Sequence, residues 1–177
     1  MIFGVPSSNQ WLLAAAVSLA SAPVFATTIV AIRTPDIVVL AADSSGTFVG
    51  GAETIRTVCK IHKVGERFFA VAGLSEDPRR GFGAVGIVSR ALRGTDGVMN
   101  AAAAAAEAMA DPLARELTRL AAEDKPLLER SLAKLPSVIL IGTDHGASVA
   151  SGFQFEVAPN ATWPTKLTLR TLKCPGD

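Results

Sequence analysis

The chain has no tyrosine, and only two cysteines and two histidines among its 177 residues. Cys59, Cys174, His62 and His145 stand far apart, without the close spacing that metal ligands need, so no metal site is expected. Two cysteines cannot build the disulfide framework of a small secreted scaffold. Cys59 and Cys174 either pair once or stay as free thiols. An excess of one charge sign is also missing: 17 basic and 16 acidic residues leave a net charge of +1. That balance provides no electrostatic drive toward nucleic acid or an anionic membrane surface. No basic residue occurs in residues 1–10, and no repeat recurs at a fixed period. The longest apolar run, Trp11 to Ala20, falls short of the roughly 20 residues that span a bilayer.

That run has the length of a signal-peptide core, and Ser21, Ala22 and Pro23 end it. Val24 and Ala26 then offer the modest side chains that a signal peptidase accepts before its cut. Residues 1–26 therefore read as a cleaved leader, and the mature chain is expected to be exported, to the periplasm or beyond the cell. Contact with a membrane is expected only through this leader. Residues 27–177 are the size of one domain.

Cleavage after Ala26 makes Thr27 a new N-terminus. Such a threonine carries a nucleophile and a base on one residue, because its free α-amine, with a pKa near 8, can accept the hydroxyl proton at neutral pH. Thr28 to Ile32 and Ile37 to Ala42 read as strands joined by a Thr-Pro-Asp turn. The continuous apolar character of the second predicts a strand covered on both faces. Residues 44–51 read as loop, then Thr57 to Val64 and Arg67 to Ala72 as a strand pair across Gly65-Glu66.

The middle changes to helical period. Asp77-Pro78 reads as a helix start, with an end at Gly94. Asn100 reads as the cap of an alanine-rich helix to Met109, and Asp111-Pro112 as the start of a second or bent segment to Ala122. A short helix follows over 125–134. Strands return at 137–141 and 147–157 around a turn at 142–146, and 166–172 is a last strand candidate. Strands, then helices, then strands make a layered α+β domain. Asp43 ends the second strand, from where a hairpin returns it beside the first. With Lys60 it would give a carboxylate, an ammonium and a hydroxyl in one proton relay.

The local sequence is more specific. Thr27-Thr-Ile-Val-Ala-Ile, Val38-Val-Leu-Ala-Ala-Asp43-Ser44, Lys60, and Glu66-Arg67-Phe68-Phe69-Ala70-Val71-Ala72-Gly73 together resemble the β-type subunits of proteasomes and their bacterial relatives, which are N-terminal nucleophile hydrolases. The resemblance is continuous from Thr27 to about Gly73 and looser to about Val157. It implies a four-layer αββα sandwich. It also implies Thr27 as nucleophile, Asp43 and Lys60 as its tuning pair, and Gly73 as the backbone N–H donor to an oxyanion. Thr47 would hydrogen-bond substrate backbone, and Gly46, Val58 and Val71 would lie near a side-chain pocket. The implied substrates are peptides or small amides, with no cofactor, and a homo-oligomeric ring is the implied assembly. Peptidase and other amidase activities are not separated by these residues. A catalytically silent subunit of the same fold is the alternative. The family's later Ser-Gly-rich loop, aspartate and serine have no counterpart before the chain's last residues, so a sandwich incomplete at its C-terminus is expected.

Overall fold

The computed structural model describes residues 28–34, 36–48, 54–77, 82–157, 163 and 167–172, with backbone alone for 45–48, 54–56 and 77. Strands β1 (Ile29–Arg33) and β2 (Val38–Ala42) pair antiparallel from Ile29↔Ala42 to Arg33↔Val38. Thr34 closes the turn between them, its N–H donating to the Ile37 carbonyl at 2.7 Å and its Oγ1 accepting from Ile37 N–H at 3.1 Å. Burial alternates along both strands, with Ile29, Ala31, Val38, Leu40 and Ala42 half-buried. The expectation that the second strand is covered on both faces is therefore corrected: Val39 is 50% exposed, beside Val30 at 44% and Ile32 at 58%. Its apolar run serves a two-stranded ribbon with one packed face.

The stretch read as loop after Asp43 contains β3 (Ser45–Phe48), which pairs with β4 (Thr54–Thr57). The single strand expected over 57–64 is divided. β4 ends at Thr57, and β5 (Ile61–Val64) begins beyond Lys60. Lys60 thus precedes a strand instead of lying within one. β6 (Arg67–Ala72) follows across the expected Gly65-Glu66 turn, where Gly65 adopts φ +59°.

The first helix begins later than Asp77-Pro78. Glu76–Asp77 (β7) and Phe82–Gly83 (β8) form a short antiparallel bridge, and α1 spans Ala84–Gly94. Ala84, Ile87, Val88 and Leu92 make its buried stripe. The alanine-rich region is one helix, α2 (Val98–Glu123), which runs through Pro112. A mid-helix proline costs about 3 kcal/mol. Met109, Leu113, Leu117 and Leu120 are buried on either side of it, and each such burial contributes roughly 1.5–3 kcal/mol, so packing outweighs the break. Asn100 lies inside α2 and does not cap it. The helix starts at Val98, whose N–H donates to both Asp144 carboxylate oxygens at 2.8 and 2.9 Å. The C-terminal end of α1 is held by Arg67, which donates to the carbonyls of Leu92 and Thr95. α3 (Lys125–Leu132) is capped by Asp124, which accepts from Leu127 N–H at 3.0 Å.

β9 (Ser137–Asp144) and β10 (Ala147–Glu156) meet at a tighter turn than expected. Only His145 and Gly146 lie between them, at φ +52° and +83°, the positive pair that a type I′ hairpin requires. β11 (Thr168–Leu172) pairs with β10. The main sheet is antiparallel throughout, in the order β11-β10-β9-β6-β5. One face carries Phe69, Val71, Val138, Leu140, Phe153 and Phe155 and joins the core beneath α1 and α2. The other carries Ala70, Ile141 and Ala150, and the β1–β2 ribbon packs on that side, against β6, β9 and β10. Helices, sheet and ribbon make an α+β arrangement of antiparallel sheets compatible with the N-terminal nucleophile sandwich. Among the described residues, no helix is long and apolar enough to cross a membrane.

Candidate active site

Asp43 and Thr28 sit one step beyond the last ribbon pair, Ile29↔Ala42. Antiparallel register continues through them: Asp43 N–H donates to the Thr28 carbonyl at 3.1 Å, and Thr28 N–H donates to Asp43 Oδ2 at 2.5 Å. The ribbon's open end therefore aims a carboxylate at the peptide N–H of the residue preceding β1.

Lys60 reaches the same carboxylate by the following hairpin. β3 and β4 pair up to Ser45↔Thr57, and Val58 N–H extends that pairing by donating to the Ser44 carbonyl at 2.8 Å. The chain leaving β4 is thereby returned to Asp43, and Lys60 Nζ lies 2.7 Å from Asp43 Oδ1. The lysine side chain is 8% exposed and the aspartate 34%. An ammonium so enclosed needs an anionic partner, because burying an unpaired charge costs several kcal/mol. Each Asp43 oxygen thus has its own donor, one from the residue preceding β1 and one from the approach to β5.

Gly73 follows the end of β6. It adopts φ +81°, and a β-carbon there would lie 2.4 Å from the Leu135 carbonyl oxygen and 2.6 Å from that of Lys134. Leu74 N–H donates to Lys134 at 2.8 Å, which fixes this close approach. Only glycine fits. Since Ile61 pairs with Ala70, β5 begins and β6 ends at the same end of the sheet, so Lys60 and Gly73 share that end.

The remaining expected residues fall as follows. Thr27 lies outside the described residues. Gly46 and Thr47 belong to β3, paired with Arg56 and Ile55, and the Thr47 side chain lies outside the description. Val58 is half-buried between β4 and Lys60. Val71, 5% exposed, packs into the helix-facing core. Cys59 is a free, exposed thiol whose S–H points to the Ile61 carbonyl at 3.1 Å, and Cys174 lies outside the described residues. Sequence reading missed two elements. One is the Thr28 N–H, which the hairpin register could have revealed. The other is the 134–135 backbone behind Gly73, a tertiary contact without local signal. His62 stacks on Phe69 at 5.1 Å, and burial lowers its pKa, partly opposed by Glu76.

Residues 24–80 match the family model of the proteasome subunit. The matched segment contains Thr27, Asp43, Lys60 and Gly73. No curated protein and no solved structure matches the chain. This segment, less than half of the chain, is similar to proteasome subunits, and the fold is compatible with the N-terminal nucleophile class. The match supports a hydrolase of the proteasome kind in general, and a family in which subunits assemble.

Proposed function

We propose that the chain is a threonine-type amide or peptide hydrolase whose nucleophile, Thr27, is unmasked by removal of residues 1–26. The observation that carries this reading is the Asp43 carboxylate, shared between Lys60 Nζ and the N–H of Thr28, the residue next to Thr27. Thr27 Oγ attacks the amide carbonyl, and its α-amine, directly or through water, takes the hydroxyl proton. The Lys60 charge favours the deprotonated amine and hydroxyl, and Asp43 holds Lys60 in place. The Gly73 N–H donates to the tetrahedral oxyanion, an interaction worth a few kcal/mol of barrier lowering. The amide C–N bond breaks as the leaving amine takes up the proton. Water then attacks the threonine ester, releasing the acid and restoring the hydroxyl.

Export through the leader is part of the proposal. Outside the cytoplasm no ATP-driven unfoldase feeds the enzyme, so short peptides and small amides are its substrates.

N-terminal sequencing of the protein from its native compartment, followed by an assay with small peptide amides, tests the reading. The expected mature chain starts at Thr27, and Thr27→Ala and Lys60→Ala each abolish turnover while circular dichroism stays unchanged. Full turnover in a chain that retains Phe25-Ala26, or in Thr27→Ala, would overturn it.

A further inference from the structure

The outward side of α2 carries a regular stripe: Ala104, Ala108, Asp111, Arg115, Thr118 and Ala122, at steps of 4, 3, 4, 3 and 4. On a helix of 3.6 residues per turn these lie in one narrow line. Ala104 is half-buried and the other five are exposed. Asp111 and Arg115 stand at the i,i+4 spacing at which helical charges ordinarily pair. Yet among the described residues neither forms an ion pair, whereas Arg119 on the same helix binds both Glu116 and Glu123. Part of the stripe borders a groove of about 610 Å³ between α1 and α2, lined by Ala104, Ala108 and Arg115 together with Gly86, Arg90 and Pro112.

Reversed, the stripe sets small residues against small residues and opposite charges against each other. Turned antiparallel about a two-fold axis level with Leu113, Ala104 meets the partner's Ala122, and Ala108 meets the partner's Thr118. Asp111 then meets the partner's Arg115, and the reverse pair forms by symmetry. An isologous interface requires this self-complementarity, and an unrelated acidic partner would have no use for it. The small side chains on either side let two helices approach to the short end of the usual 8–10 Å axial separation. Trp163 borders the line through its Nε1 donation to Thr118 Oγ1 at 3.2 Å, so its ring would flank the seam. We propose that the occupant of this face is a second copy of the chain, paired through antiparallel α2 helices with reciprocal Asp111–Arg115 ion pairs. The proposal does not depend on the catalytic reading.

Sedimentation equilibrium over a range of concentration and salt tests it. The wild type is expected to associate two-fold. Asp111→Arg or Arg115→Asp should each weaken association at least tenfold, because like charges then face each other. The double reversal Asp111→Arg/Arg115→Asp should restore it. High salt should weaken the wild-type pair. A second measurement fixes the register. In a Cys59→Ser/Cys174→Ser background, Ala108→Cys with Thr118→Cys should cross-link between copies under mild oxidation. No two-fold association in the wild type, indifference to the single reversals, failure of the double reversal to restore pairing, or absence of the cross-link in folded protein would each overturn the proposal.

Discussion

Lys60 and Asp43 form an ion pair of 2.7 Å in which the ammonium is nearly enclosed and the carboxylate is two-thirds covered. The second Asp43 oxygen accepts the Thr28 N–H at 2.5 Å, so one side chain ties the start of β1 to the segment entering β5. This arrangement gives the pair a structural role beside its proposed chemical one, and the two can be separated by mutation.

Asp43→Ala should destabilise the fold by roughly 2–4 kcal/mol, because it leaves the enclosed Lys60 charge without its carboxylate. The double variant Asp43→Ala/Lys60→Met should recover much of that loss, since no charge then remains to be desolvated. Urea denaturation of the single and double variants checks this. Equal stability of Asp43→Ala and the double variant would show that Lys60 draws nothing from Asp43.

Two glycines with positive φ give a controlled comparison. Gly73→Ala drives a β-carbon to within 2.4 Å of a backbone oxygen, whereas Gly65→Ala meets nothing within 4 Å. The cost at Gly65 should be about 1 kcal/mol, the penalty of a left-handed conformation alone. At Gly73 the loss should exceed about 3 kcal/mol, with backbone displacement added. Thermal melts of the two variants measure the difference. Similar melting shifts would mean that the 134–135 backbone yields at no cost.

Much of the fold was legible because it depends on local signals. The apolar runs predicted β1, β2, β6, β9 and β10, and Gly65-Glu66 predicted its turn. Asp124 and the proline after Lys125 mark the start of α3 in the sequence itself. Errors arose where tertiary packing decided. Pro112 reads as a boundary, but Met109 and three leucines buried around it keep α2 continuous. Asn100 looked like a cap, but the capping carboxylate comes from Asp144, 46 residues away in sequence. In the candidate site, the closeness of Asp43 and Lys60 rests on the hairpin between them, whose first strand falls in a stretch that reads as loop. The covering of Val71 rests on helices that no local pattern assigns to that face.

Asp144→Ala should unlock the first turn of α2 and lower stability by about 1 kcal/mol, as the loss of a helix cap does. Amide hydrogen exchange is expected to rise at Val98 and its neighbours while the end of α1, held by Arg67, keeps its protection. Unchanged exchange at Val98 would remove Asp144 from this role.

His62 should make the fold sensitive to mild acid. Its ordinary pKa of about 6.5 is lowered in the folded chain by burial beside Phe69. The unfolded chain then binds the proton more readily, so the contribution of His62 is fully present above about pH 6.5. It falls as pH drops through the lowered folded value. His62→Gln should flatten the stability profile in that window, as urea midpoints from pH 7.5 downward would report. A profile identical to wild type would exclude His62 as the source.

Among the described residues, the ribbon's two strands hydrogen-bond in a ladder only to each other, while the neighbouring sheet has five members. Opening of the ribbon would leave the hydrogen-bond ladder of the larger sheet intact. If residues 1–26 are removed as proposed, the cut falls beside this ribbon and not within the five-stranded sheet.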